Sequence, residues 1–197
     1  MFFLNKIKKL IFFSLIFLFL YSCQKTEFLG PVVFDNSQLE KININAENID
    51  IIVSYESTYD YPFIDHNMSK TPKYRIQSWI EDNFKNFGTE NFFVADIVNA
   101  SITQQEVVNE KKIKGVVKKV DEYIYEVNFE INFILYNDKK QLISRVHAKT
   151  YRSTTSGRFI SINERNNITN SVLLDALRDL SKKSYELLNI HMSDNLL

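Results

Sequence analysis

The chain has 197 residues, 45% hydrophobic and 24% charged, with 24 basic residues balanced by 24 acidic ones. That length suits one domain, and that balance gives no electrostatic case for a nucleic-acid partner. A single cysteine excludes an internal disulfide framework and a cysteine metal site.

The first 23 residues carry Lys6, Lys8 and Lys9 and no acidic residue, then a nearly unbroken apolar run from Leu10 to Leu20. A basic start, an apolar run of roughly 7–15 residues and a small residue before the cut describe a secretory signal; a spanning helix needs about 20 apolar residues. Leu20-Tyr21-Ser22-Cys23 resembles the bacterial lipobox, with an aliphatic residue three before the cysteine and a small one just before it. Tyr21 is bulkier than the residue usual at its place. The resemblance implies cleavage after Ser22 and acylation of Cys23, the sole cysteine, on thiol and amine. Each buried CH2 contributes about 0.8 kcal/mol and one chain anchors only marginally, so more than one acyl chain is what holds a protein at a membrane. Gln24, where Asp often marks inner-membrane retention, favours the outer membrane by the same resemblance. Residues 1–22 then form a lipoprotein signal peptide, 23–38 a lipid-anchored tether and 39–197 a single α+β domain. Removing Met1–Ser22 takes three lysines and no acid, which leaves 21 basic against 24 acidic residues, a net charge of −3.

Gly30 and Pro31 punctuate the tether, and Phe28, Val32, Val33 and Phe34 are its candidates for docking. Ile42 and Ile44, then Ile49, Ile51, Val53 and Tyr55, alternate with polar residues as one long strand that Ala46-Glu47-Asn48 kinks or bulges. Residues 58–70 are a loop with Pro62 and the aromatics Tyr59, Tyr61 and Phe63. Thr71 caps a helix whose first turn holds Pro72 and whose end fits Gly88. Ile76, Trp79, Ile80, Phe84 and Phe87 follow its 3.6 period.

Asn91 to Val108 is too continuously apolar for a strand with one wet face, and predicts central placement or a bulge. Asn109 to Lys119 breaks that pattern and reads as a projecting loop. Tyr123 to Tyr136 alternates strictly, the clearest strand in the chain. Asn137-Asp138-Lys139-Lys140 reads as a tight turn, with Gln141 to Thr154 returning antiparallel and Leu142, Val146 and Ala148 facing inward. A turn centred on Asp138 and Lys139 sets Ile131 opposite Val146, Phe129 opposite Ala148 and Glu130 opposite His147. Ser161 and Glu164 have capping-box spacing before a long amphipathic helix. The order β-α-β-β-β-α predicts a two-layer α+β sandwich, two helices on one face of a mainly antiparallel four-stranded sheet.

Chemistry-bearing patterns are sparse. His66, His147 and His191 have no metal-ligand spacing, and neither a nucleophile motif nor a phosphate-binding glycine loop is present. The sequence points to no catalytic residue, cofactor or metal. His66, beside Asp65 in a loop, carries the rival reading of a small periplasmic enzyme. Glu126 and Glu130 on one strand face, and Asp175 and Asp179 on the last helix, read as wet surface. Lys111, Lys112, Lys114, Lys118 and Lys119 interleave with Ile113, Val116, Val117 and Val120 around Gly115. Basic and aliphatic residues in a projecting loop suit an anionic lipid or a protein partner in the envelope; the alternative is a solvated hairpin.

With its lipobox and element order, the chain resembles small envelope lipoproteins that assist lipopolysaccharide assembly, and more distantly auxiliary lipoproteins of lipid transporters. Arg75-Ile76-Gln77-Ser78-Trp79 on the first helix resembles an Arg-x-x-x-Trp segment of uncharacterised small lipoproteins. The resemblance implies a lipid-anchored, periplasm-facing protein that binds rather than catalyses. A purely structural, partner-binding lipoprotein is the further alternative.

Overall fold

The computed structural model describes residues 30–113 and 116–197, the side chains of 109–113 and 116–120 excepted. Residues 1–29, Cys23 among them, and residues 114–115 lie outside the described residues. Val32–Leu197 forms one compact unit. Its strands and helices run, in order, Ile42–Ile44 (β1), Asn48–Val53 (β2), Pro72–Asn83 (α1), Phe84–Asn86 (β3), Phe92–Ile113 (β4), Val116–Tyr136 (β5), Leu142–Gly157 (β6) and Ile162–His191 (α2). The main sheet has the order β2-β4-β5-β6, with β2 parallel to β4 and the other pairs antiparallel. This is an α+β two-layer sandwich.

One face of the sheet carries the core. Phe93, Ala95 and Ile97 of β4, Val127 to Leu135 at alternate positions of β5, and Val146 and Ala148 of β6 are buried against Ile76, Trp79 and Ile80 of α1 and Leu173, Leu177 and Leu180 of α2. β4 keeps this face past its bulge: the register shifts between Ile97 and Asn99, after which Ala100 and Ile102 replace the expected odd positions. One inserted residue resets the alternation. Trp79 is fully buried and meets Phe84 edge-on at 5.3 Å. Phe84 in turn stacks on Phe133 at 5.5 Å.

The helix ends depend on side-chain caps. Thr71 Oγ1 accepts from the Tyr74 amide, and Ser161 and Glu164 close a complete capping box on α2. Helix α1 stops at Asn83 rather than running to Gly88. Phe84 then enters a strand, β3, that pairs in parallel with β1 in a separate two-stranded sheet. The long strand expected over 42–55 is therefore two strands in two sheets, broken at Asn45–Glu47. The turn of chain after α1 is fixed by Asn83, whose buried Nδ2 donates to the carbonyls of Asn36, Leu39 and Glu40. Gly88 allows the close approach that follows, because a Cβ there would sit 2.7 Å from the Ala46 nitrogen.

The β5–β6 pairing is two residues away from the expected one. Ile131 faces Ala148, Phe133 faces Val146 and Glu130 faces Lys149. The connection is longer than a two-residue turn: Asn137 and Gln141 close it, Lys140 takes φ 59°, and the register shifts again between Leu135 and Tyr136. A slip of two preserves the faces, so Val146 and Ala148 stay buried, but Leu142 beyond the irregularity is exposed.

Residues 109–120 are not a loop leaving the sheet. The β4–β5 ladder continues to Ile113 and Val116, setting Lys111 opposite Lys118 and Glu110 opposite Lys119. The segment is a two-stranded ribbon prolonging the sheet.

Candidate functional site

The described residues divide the sequence's candidates into separate places. Lys111, Lys112, Lys118 and Lys119 lie on the ribbon, and Cys23 and Lys114 lie outside the described residues. His147 is on the sheet face away from the helices, its Nδ1 2.9 Å from Asn132 Oδ1 and its Nε2 3.7 Å from Glu130. Glu130 is occupied by Lys149 Nζ at 2.7 Å, which holds its carboxyl below the ordinary range while burial opposes. Glu126 accepts from the Tyr151 hydroxyl, and Asp179 pairs with Arg152. These carboxylates hold surface partners. His191 is exposed at the end of α2.

His66 sits in a 3-10 turn, Asp65–Asn67, with its ring 5.1 Å from that of Tyr59. Asp65 beside it is fully buried and accepts from the Tyr55 hydroxyl at 3.2 Å. Burial first, then the Asp65 charge, pushes the Tyr55 phenol upward. Asp65 thus turns toward Tyr55, two residues past β2, and helps to fix the loop, with no contact to His66 among the described residues.

The same loop walls a cleft of about 340 Å³. Arg75 enters it from α1, Arg165, Asn166 and Asn170 from the first turns of α2, Gln104 from β4 and Asn67 from the loop. Ile64 and Met68 supply an apolar edge. Among the described residues no Asp or Glu lines the cleft.

Each arginine is held by its surroundings rather than by a carboxylate. The Arg75 guanidinium lies over the Phe34 ring, 3.5 Å from its centre, and its Nη2 donates to Asn170 Oδ1 at 2.8 Å. The first contact comes from the segment before β1; the second ties α1 to α2. Arg165 lies 5.5 Å over the ring of Tyr123. The Nε–H groups of both arginines are buried and have no hydrogen-bond partner among the described residues. Burial lowers the Arg75 pKa to about 10, which leaves the group cationic at neutral pH. Two cationic donor groups in one cleft that no carboxylate lines can donate hydrogen bonds to an oxyanion.

Sequence reasoning singled out Arg75 only as part of a helix segment and missed the cleft. Arg75 and Arg165 stand far apart in the chain, and no local spacing joins them.

Among the described residues, no group of three or more His, Cys, Asp or Glu is placed to hold a metal, and no helix is long and apolar enough to cross a membrane. No family model matches the chain and no curated protein matches it. Among solved structures the chain is similar to a minor lipoprotein from Acinetobacter baumannii, at 8% identity and a TM-score of 0.38, over 75% of this chain and 96% of that one. At that level the likeness decides nothing about this chain.

Proposed function

We propose that this chain is a bacterial envelope lipoprotein: cleaved before Cys23, acylated there, and holding a ligand-binding α+β domain on the periplasmic side of the outer membrane. Its work is binding, as an accessory in outer-membrane assembly or envelope lipid transport. The observation that carries this reading is Leu20-Tyr21-Ser22-Cys23 at the end of a basic-then-apolar leader, with no other cysteine in 197 residues. Two or more acyl chains at one cysteine meet the energetic requirement for stable anchoring.

The lysine ribbon supports a membrane-facing role. Five lysines fall within nine positions of a mature chain whose net charge is slightly negative. Each lysine near an anionic surface contributes about 1 kcal/mol, fading beyond about 8 Å at physiological salt.

Fractionation of cells making the full chain tests the reading. The wild type belongs in the outer-membrane fraction, and Cys23→Ser in the soluble periplasm or held as precursor. Release of the wild-type chain into the soluble periplasm would defeat the proposal.

A further inference from the structure

We propose that the cleft between α1 and α2 is a binding site for a phosphate-class oxyanion, clasped by the guanidinium groups of Arg75 and Arg165. The proposal goes beyond the anchoring of the chain and stands without it.

Four observations point the same way. Both arginines line one cleft of about 340 Å³, large enough for a phosphate group and part of what carries it. Neither has a carboxylate partner among the described residues; of the exposed arginines, Arg152, Arg158 and Arg178 have one and Arg145 has none. Arg75 and Arg165 are both half-buried, and two partly desolvated cations that share a cleft without a carboxylate attract an anion to it. The Nε–H of each is buried without an acceptor among the described residues. The Nη–H groups are therefore the ones that meet an anion in the cleft, and two of them on one guanidinium can grip two of its oxygens at once. Finally, the remaining polar lining is amide and hydroxyl: Asn67, Gln104 and Asn166 add neutral donors and no competing negative charge.

The geometry also holds the arginines ready. Arg75 is fixed on one side by the Phe34 ring and on the other by Asn170. A guanidinium already immobilised loses less entropy on gripping an anion. Two guanidinium forks exceed what one carboxylate uses and suit a tetrahedral group with three or four acceptor oxygens.

A phosphate of this kind comes either free or on a lipid headgroup. Ile64 and Met68 at the edge offer apolar contact to whatever bears the phosphate. Phe34, beneath Arg75, follows Cys23 by only eleven residues. If Cys23 is acylated, as proposed above, that length keeps the cleft within about 40 Å of the anchoring membrane. A headgroup is therefore within the chain's span, and free phosphate reaches the cleft from solution.

The test is calorimetric titration of the purified full chain in neutral detergent with inorganic phosphate, with dihexanoyl phosphatidic acid below its micellar concentration, and with acetate. The expected result is binding of both phosphate compounds at one site, tighter for the phosphatidic acid, with acetate weaker. Arg165→Gln and Arg75→Gln should each weaken binding by about tenfold or more. Free-phosphate binding equal to or tighter than the phosphatidic acid supports the site with a soluble ligand as its source. Arg75→Lys keeps the charge without the fork and should bind less well than wild type while melting normally. It covers the case in which Arg75→Gln fails to fold. No binding of either phosphate compound, acetate binding as tight as phosphate, or undiminished binding by a folded Arg165→Gln would each overturn the proposal.

Discussion

Arg75 and Phe34 are in face-to-centre contact, the guanidinium carbon 3.5 Å from the middle of the ring. The contact links the segment leading into the domain with the wall of the cleft. It also gives Arg75 an orienting surface, and its Nε–H has no acceptor among the described residues. A guanidinium over an aromatic face gains about 0.5 kcal/mol when exposed and about 2 kcal/mol when desolvated. Phe34→Leu removes that orienting surface and should weaken phosphate binding, by no more than about thirtyfold, the equivalent of the whole contact. The same calorimetric titration measures it, and unchanged affinity would show that the ring does not position Arg75.

Trp79 fills the space between α1 and the sheet and is wholly inaccessible to solvent. Trp79→Ala removes the ring that meets Phe84 and should cost roughly 3–5 kcal/mol, as large-to-small changes in cores do. Denaturant unfolding followed by far-UV circular dichroism reads this directly. A loss under about 1 kcal/mol would contradict the packing described here.

Gly88 is a second sensitive point, for the opposite reason. A methyl group there would lie 2.8 Å from the Asn45 carbonyl carbon and 2.7 Å from the Ala46 nitrogen, both backbone atoms. Backbone cannot swing aside as a side chain can. Gly88→Ala should destabilise by about 1–3 kcal/mol, lowering the melting temperature by several degrees. A variant as stable as wild type would show that β1 and the segment after β3 can separate freely.

Glu130 supplies a pH-dependent contribution. The hydrogen bond from Lys149 is the largest influence lowering its carboxyl, against burial, with Asn128 and His147 adding to the lowering. A carboxylate whose pKa falls on folding stabilises the fold above its unfolded value of about 4.3, and the contribution fades as pH drops through the lower folded value. Lys149 is half exposed, so screening limits the pair to about 0.2–1 kcal/mol. Glu130→Gln should be less stable than wild type by that amount at pH 7, with the two curves converging in acid. Melting curves from neutral to acidic pH check this, and a gap that widens as pH falls would contradict it.

These sites also show what the sequence could and could not reveal. Alternation from Tyr123 to Tyr136 and the Ser161/Glu164 spacing are local signals, and the strand and the capping box follow them. The apolar run in β4 predicted central placement or a bulge, and the strand shows both. Strand β3 was hidden because Phe84 and Phe87 happen to continue the helical period of α1. Asn83, by reaching three carbonyls of a segment more than forty residues earlier, ends the helix through tertiary contacts that no local pattern records. The β5–β6 register was displaced by two because the connection closes between Asn137 and Gln141, with Lys140 at positive φ. The lysine segment read as a loop because its mixed charges lack a one-sided apolar pattern, yet ladder pairing carries the strands through it. The arginine cleft depends on α1 and α2 lying side by side, and only the fold brings Arg75 to Asn170.

The central claim is covalent and can be weighed directly. Intact-mass and peptide mass spectrometry of the mature protein from bacterial envelopes should find a chain beginning at Cys23, without Met1–Ser22, its first residue heavier by at least two acyl chains. A mature protein whose Cys23 carries a free, unmodified thiol would contradict the account.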